Sequence, residues 1–363
     1  MRKGLSFRDT DWFLLALAVA IAAVGVVEIF SITAHSPLAG EYKRQMEWIC
    51  LGLAAALVVS RIDYHSIIER VPWLFGLSVL TLVAVLVGGH SIARARRWLP
   101  LGGVATLQVS ELVKLVIILG VAAILAEKRG QYVTWKDLFK LGVLAGLPAV
   151  LVALEPDLGT ALTFFPIIVA GAFLAGIHPR QIALVGLLGL LMLPVMWHFM
   201  RPYQRERIMT LIHPSQDTRG SSYQATQSKI AIGSGGFWGK GTGNGTQTQL
   251  GFIPISQEDF IFAAYAEEHG FIGTLFVMLL YLVLLLRLLD GAQVAGDRAG
   301  TLLVVCFAVL LFFQVFINVG MMIGFLPITG IPLPLMSQGG SSVLSTFLGL
   351  GLAMSVKARR LVN

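Results

Sequence analysis

Carboxylates and cations set against long apolar runs are the residues of this chain that could do chemistry. Asp259 closes the polar stretch Gln257-Glu258-Asp259 and opens the apolar run Phe260-Ile-Phe-Ala263, with Glu267 and Glu268 about two turns further on. A carboxylate at a membrane surface, beside apolar residues, is placed to act as a general base. An aspartate before an apolar run is also a good helix N-cap, and the local pattern accommodates both readings. Glu111 and Lys114 lie inside another apolar run, three residues apart and so on one helix face. Isolated charge in hydrocarbon is costly, so these two either pair structurally or line a substrate cavity. Glu28 and Glu47 stand near the ends of apolar runs and read as interfacial carboxylates.

Further polar clusters fall between apolar runs. Arg94, Arg96 and Arg97 precede Trp98. Guanidinium groups suit bidentate phosphate recognition, whereas Arg beside Trp is also a plain interfacial anchor. In Glu155-Pro-Asp157-Leu-Gly-Thr160 the carboxylates either cap the next helix or bind a metal or sugar at a cavity mouth. Gly233-Ser-Gly-Gly-Phe-Trp-Gly-Lys-Gly241 is not a nucleotide-phosphate loop. Ser234 stands where the first glycine is required, Gly241 stands where a Ser or Thr must follow the lysine, and Trp238 breaks the dinucleotide glycine spacing. What remains is flexible backbone with one cation, Lys240. The last polar cluster runs from Phe325-Leu-Pro-Ile-Thr-Gly-Ile-Pro-Leu-Pro-Leu335 to Ser337-Gln-Gly-Gly-Ser341-Ser342. Its prolines make a rigid non-helical segment that re-enters the membrane or serves as a stiff linker.

The elements that must position these residues follow from composition. Of 363 residues, 56% are hydrophobic and 13% charged, against about 25% charged in soluble domains. Apolar runs near the ~20 residues of a helical span lie at about 12–32, 46–60, 72–89, 106–126, 139–154, 158–176, 181–199, 260–288, 300–324 and 340–357. The expected fold is an all-α polytopic membrane protein of about ten transmembrane helices, one domain over 1–363. One large extracytoplasmic loop, about 200–259, lies between the seventh and eighth helices. It is rich in Gly, Ser, Thr and Gln, has little apolar periodicity, and carries Arg201 and Arg205. With the N-terminus inside, fifteen Lys and Arg fall in short inner segments and five in short outer loops, so both termini are expected in the cytoplasm. The first span is too long for a signal-peptide core and reads as uncleaved. The net charge of +7 flanks the apolar runs and points to anionic lipid headgroups, not nucleic acid. Cys50 and Cys306 sit in apolar runs and read as small buried hydrophobes.

In order and spacing these motifs resemble the SEDS family (shape, elongation, division and sporulation), over essentially the whole chain. The resemblance is carried by Arg97-Trp98, Gln108-Val-Ser-Glu111 with Lys114, Glu155-Pro-Asp-Leu-Gly-Thr160, Gly239-Lys-Gly241, Gly245-Thr-Gln-Thr-Gln249, Asp259-Phe-Ile-Phe-Ala263 with Glu267-Glu268, Gly330-Ile-Pro-Leu-Pro-Leu335 and Gly339-Gly-Ser-Ser342. The Gly-Thr-Gln-Thr-Gln and Gly-Ile-Pro-Leu-Pro stretches are similar to the RodA branch more than to the division branch, FtsW. The chain departs from the family pattern at Val109, where proline is usual, at Gln257 and Glu258, where histidine and threonine are usual, and at Gln338, where tyrosine is usual.

The resemblance implies a peptidoglycan glycosyltransferase that polymerises lipid II at the outer face of the cytoplasmic (inner) membrane during cell elongation. Asp259 is then the catalytic carboxylate. Arg97, Glu111, Lys114, Asp157, Arg201, Arg205, Lys240 and Ser341 are the candidate substrate-binding residues. The implied partners are a class B penicillin-binding protein supplying the transpeptidase, lipid II with its polyprenyl-pyrophosphate-linked glycan, and membrane lipids. No cofactor is evident, although a divalent cation, Mg or Mn, would suit the departing pyrophosphate. Two rival readings stand beside this one: a flippase for lipid II, and a non-catalytic scaffold for the penicillin-binding protein.

Overall fold

The computed structural model describes residues 10–34, 38–88, 90–92, 95–101, 105–127, 132–212, 220–253 and 256–360. Arg94 lies outside the described residues, and of Arg97 only the backbone is described. In chain order the helices are α1 (Trp12–Thr33), α2 (Glu41–Arg61), α3 (Tyr64–Ile68), α4 (Val71–Gly88), α5 (Val109–Leu125), α6 (Trp135–Leu154), α7 (Leu158–Ala175), α8 (Pro179–Phe199), α9 (Pro202–Ile212), α10 (Ser221–Gly235), α11 (Thr246–Gln249), α12 (Ile261–Gln293), α13 (Arg298–Met322) and α14 (Gly340–Ala358).

A helix occupies each of the ten expected ranges. By length and composition α1, α4, α6, α7, α12, α13 and α14 are able to cross a membrane, so the protein is a multi-pass α-helical membrane protein. Two helices begin earlier than the apolar pattern predicts, because polar side chains start them. Thr134 and Asp137 form a reciprocal capping box ahead of α6. Glu41 and Arg44 pair at 2.9 Å in the first turn of α2. Long apolar side chains of α8, among them Leu187, Leu190 and Leu193, stay exposed, as a lipid-facing surface requires.

The core gathers around α13 and α14. The less apolar of the two, α14, is the more enclosed, which its small residues explain. A Cβ at Gly351 would come within 2.7 Å of the Ala56 carbonyl on α2, and one at Gly349 within 2.1 Å of the Phe307 ring on α13. Close approach through small residues is the usual way helices associate where lipid supplies no hydrophobic drive. Cys306 is buried there as expected, whereas Cys50 faces outward from α2.

Two regions differ from the sequence expectation. Between α4 and α5 the chain forms an antiparallel three-stranded sheet, β1 (His90–Ile92), β2 (Ala95–Leu101) and β3 (Ala105–Gln108), in the order β1-β2-β3. Trp98 is registered with Gln108. The fourth apolar range therefore starts as strand and becomes helix only at Val109. The 200–259 segment, expected as a loop without regular structure, holds α9, α10 and α11. Their polar sequences are held by docking: in α10, Ser228 donates to the Met322 carbonyl at 3.0 Å.

After α13 the chain runs without helix to Gly339, and much of this segment is buried, including Ile331, Leu333, Leu335 and Met336. Non-helical backbone within a bundle needs partners for its polar groups, and side chains supply them. Asn318 donates to the Ile331 carbonyl at 2.8 Å, Gln45 to the Ser337 carbonyl at 3.0 Å, and Tyr281 to the Pro334 carbonyl, while Ser337 Oγ accepts from Leu333 N–H at 2.9 Å. Glycine on α1 makes the room, since a Cβ at Gly25 would lie 2.3 Å from the Met336 carbonyl oxygen. The non-helical segment expected from the prolines, read as re-entrant or as a stiff linker, is a built, enclosed strap.

Candidate functional site

Asp259 stands at the end of the bundle where this strap, α9 and the start of α12 meet. The N-cap of α12 is Phe260, with no side-chain cap bond, so Asp259 sits one residue before the cap. Its backbone carbonyl accepts from Asn318 Nδ2 at 3.1 Å, and the same nitrogen donates to Ile331. Asn318, fully enclosed, thereby clamps Asp259 to the strap. Gly330 sits in the left-handed region at φ 74°, which costs a glycine nothing. A Cβ built there would lie 3.3 Å from Asp259 Oδ2 and 4.0 Å from Arg207 Nη1. Carboxylate and guanidinium therefore look onto one glycine, and a larger residue would crowd both.

Arg207 was missed by sequence reasoning, which singled out Arg201 and Arg205. The three cations could be ranked only once α9 was known to be a helix. Arg205 donates to the His198 carbonyl at 2.8 Å and lies over Trp197, turned away along α8. Arg207 lies over the Tyr203 ring, and the Tyr203 hydroxyl donates to the Pro156 carbonyl at 3.3 Å. Helix α9 thus leans on the Glu155–Asp157 turn. Arg201 is exposed at the start of α9, where its N–H donates to Gln204.

The Glu155–Thr160 motif supports this corner from below. Asp157 is the N-cap of α7, accepting from the Thr160 N–H at 3.2 Å and its hydroxyl at 3.0 Å. It also accepts from Gln108 Nε2 at 2.9 Å, while the Gln108 N–H donates to Ser341 Oγ at 2.8 Å. Asp157 and Ser341 are both buried, and through Gln108 they join α7, α5 and α14. Gly159 lets the strap approach, because a Cβ there would lie 2.5 Å from the Thr329 carbonyl oxygen, one residue from Gly330. Capping accounts for Asp157, and its place beneath the strap links it to the site.

Glu111 and Lys114 form a 2.7 Å ion pair with side chains 3% and 2% exposed. They line a pocket with Gln314, Ser345 and Thr346. Lys240, expected as a cation for phosphate, is paired with Glu267 at 2.6 Å. The Glu267 carboxylate also accepts from the Gln247 N–H at 2.9 Å, the Thr248 N–H at 3.2 Å and the Thr248 hydroxyl at 2.9 Å. The Gly-Thr-Gln-Thr-Gln stretch therefore wraps Glu267. Glu28, expected at the interface, is completely enclosed. It is enclosed because α1 packs against α12, which brings Glu268 and His269 to the same place.

Glu258 is the titrating group beside Asp259. The surrounding protein desolvates it, and the charges of Asp259 and Glu41 add to the effect, so its carboxyl is pushed up to about 7 although the side chain still reaches solvent. The strap holds this corner as well, since the Gln338 N–H donates to the Gln257 carbonyl at 2.9 Å and Gln338 Nε2 to Glu41 at 2.9 Å.

The helices define a multi-pass membrane protein, with Asp259, Glu258 and Arg207 at one end of the bundle. The model of the FtsW/RodA/SpoVE cell cycle proteins matches residues 10–361, and the chain belongs to that family. It is 36% identical over 354 residues to the peptidoglycan glycosyltransferase MrdB of Escherichia coli K12, covering 96% of this chain and 94% of the relative. The fold is similar to a chain of a peptidoglycan synthase complex that coordinates polymerization and crosslinking, at TM-score 0.81, 32% identity, and 98% and 99% coverage of the two chains. It is also similar to the rod shape determining protein RodA of Thermus thermophilus, at TM-score 0.72, 31% identity, and 97% and 98% coverage.

Proposed function

We propose that this chain polymerises lipid II into glycan strands during cell elongation, with Asp259 as the general base. It is a peptidoglycan glycosyltransferase, as its relatives are. The observation that supports Asp259 is its setting: a half-exposed carboxylate, held by its backbone to Asn318 and facing Gly330 with Arg207. Both lipids stay in the bilayer while their sugars meet at the outer surface of the inner membrane, the termini lying in the cytoplasm. Asp259 takes the proton of the acceptor 4-hydroxyl as that oxygen attacks the anomeric carbon of the donor. The bond to the polyprenyl pyrophosphate breaks, and the electron pair leaves with the pyrophosphate. Arg207, with Arg201 just before α9, meets the developing negative charge, and Arg97 is a further candidate from its sequence motif. Glu258 and Asp259 offer adjacent carboxylate oxygens of the kind that Mg2+ or Mn2+ takes, and such an ion would add positive charge at the leaving group. The partner is a class B penicillin-binding protein that crosslinks the strands. Support comes from the synthase complex, which coordinates polymerization and crosslinking.

The test is the purified chain with lipid II, alone and with its partner, in the presence of an inhibitor of unrelated glycosyltransferases. Long glycan strands are expected. Movement of labelled lipid II across vesicle membranes without polymer would establish a flippase. Polymer that needs only the partner would establish a scaffold.

A further inference from the structure

Glu28 on α1 is fully buried, and neither of its carboxylate oxygens has a hydrogen-bond partner. Opposite it on α12, Glu268 is also buried and, among the described residues, accepts from the Ser31 hydroxyl, at 2.7 and 2.8 Å. His269 Nδ1 lies 3.7 Å from Glu28 Oε2. One ligand atom from each of the three residues falls within 4.8 Å of the others. No lysine or arginine among the described residues pairs with Glu28 or Glu268, because Lys240 is bound to Glu267. Two carboxylates enclosed together need a countercharge or a proton, and among the described residues the His269 imidazole and the Ser31 hydroxyl face them.

The backbone is arranged to bring these groups together. Helix α12 is broken at Gly270, at φ 64° and ψ −162°, where a Cβ would lie 2.3 Å from the Gly239 nitrogen. The turn before α11 lies across the break: the Lys240 N–H donates to the Glu267 carbonyl at 3.1 Å and the Gly241 N–H to the Glu268 carbonyl at 2.8 Å. The Gly243 N–H reaches Ser31 Oγ at 2.8 Å. The cluster thus sits where α1, the break in α12 and the 236–245 turn converge. It lies about 10 Å along α12 from the Asp259 end, at ~1.5 Å per residue.

We propose that Glu28, Glu268 and His269 bind one divalent cation of the Mn2+ or Zn2+ class and so tie α1 to the break in α12. Two carboxylates and a neutral imidazole balance a +2 ion. A nitrogen in the donor set favours first-row transition metals and zinc over Mg2+ and Ca2+, which prefer oxygen alone. Metal–ligand distances of about 2.0–2.2 Å set ligand atoms apart by no more than about 4.4 Å, so ligand atoms within 4.8 Å of one another come into range with a shift of a few tenths of an ångström. His269 is the most exposed of the three, its side chain 28% accessible, and gives the ion its way in. The bound ion holds the 236–245 turn over α1. This inference does not rest on the assignment of the reaction.

The test uses the full-length Glu258→Gln/Asp259→Asn protein, so that an ion at the reacting end contributes nothing. The protein is stripped with chelator in detergent and titrated with Mn2+, followed by paramagnetic resonance. One saturable Mn2+ per chain is expected, with nitrogen coupling from an imidazole and a rise in melting temperature. Added His269→Ala removes the nitrogen coupling, and added Glu28→Met weakens binding at least tenfold. Glu28→Met removes the buried charge and keeps the metal-free protein folded. Bound Mn2+ without nitrogen coupling in the parent would overturn the proposal, whatever the variants do. So would the absence of stoichiometric binding together with stability that varies only with pH, since protons would then balance the cluster.

Discussion

The two ends of the helix bundle use charge differently. At the end away from Asp259, carboxylates are matched across helices. Asp11 before α1 takes Arg287 from α12 at 3.0 Å and Lys357 from α14. Asp297 before α13 takes the Tyr64 hydroxyl at 2.7 Å and His65 Nε2 at 2.7 Å. Burial works to raise the Asp11 carboxyl and is outweighed by Lys357, Arg287 and the Leu14 N–H, which hold it below the usual range. At the Asp259 end, neutral groups of Asn318, Gln45, Tyr281 and Ser337 hold backbone carbonyls and N–H groups, while Arg201 and Glu258 reach solvent. One end uses ion pairs to join helices. The other uses amides and hydroxyls to hold the strap, and leaves Arg201 and Glu258 open to solvent.

The largest effect expected from this contrast is at Arg207. Arg207→Ala should lower lipid II polymerisation about 10²-fold, the usual cost of removing one transition-state donor, with the melting temperature unchanged. Arg205→Ala, which removes a group turned toward His198 and Trp197, should fall by less than about threefold. The reverse ranking in the same polymerisation assay would break the contrast.

Next comes the far end. Asp11→Ala should cost about 2 kcal/mol of stability, as hydrogen bonds to charged groups are lost, read as a lower melting temperature in detergent. The rate per folded molecule should hold. A fall in rate without loss of stability would place chemistry at that end as well.

The smallest effect is the pH dependence at Glu258. Its carboxyl, raised to about 7, is neutral below that pH and charged above it. Ionised Glu258 strengthens Asp259 as a base, so the rate should step up by a few-fold as pH rises through about 7. Glu258→Gln should flatten the step. The sign for stability is opposite: a carboxyl raised in the folded state costs stability as pH climbs from its ordinary value toward 7.

The pattern of apolar runs made the bundle legible, because a helix in lipid must be apolar over its length and the signal is local. Asp157 was legible as a cap for the same reason, since its partner Thr160 is three residues away. The strap was readable from its prolines. What escaped was built from distant partners. Helices α9 and α10 have polar sequences and hold their places by docking, as Ser228 does on Met322. Lys240 looked like a lone cation until Glu267, 27 residues on, met it. Glu28 looked interfacial until the break at Gly270 set Glu268 and His269 beside it. Arg207 could be told from its neighbours only by helix phase.

Asp259 is proposed to take the acceptor proton. The most direct test of that role is lipid II polymerisation by purified Asp259→Asn protein with its partner bound, beside wild type, with folding checked by melting temperature. An unchanged melting temperature and a loss of about 10²–10⁴-fold in polymer are expected, the range a general base contributes. Polymer at the wild-type rate from the folded Asp259→Asn protein would contradict that role.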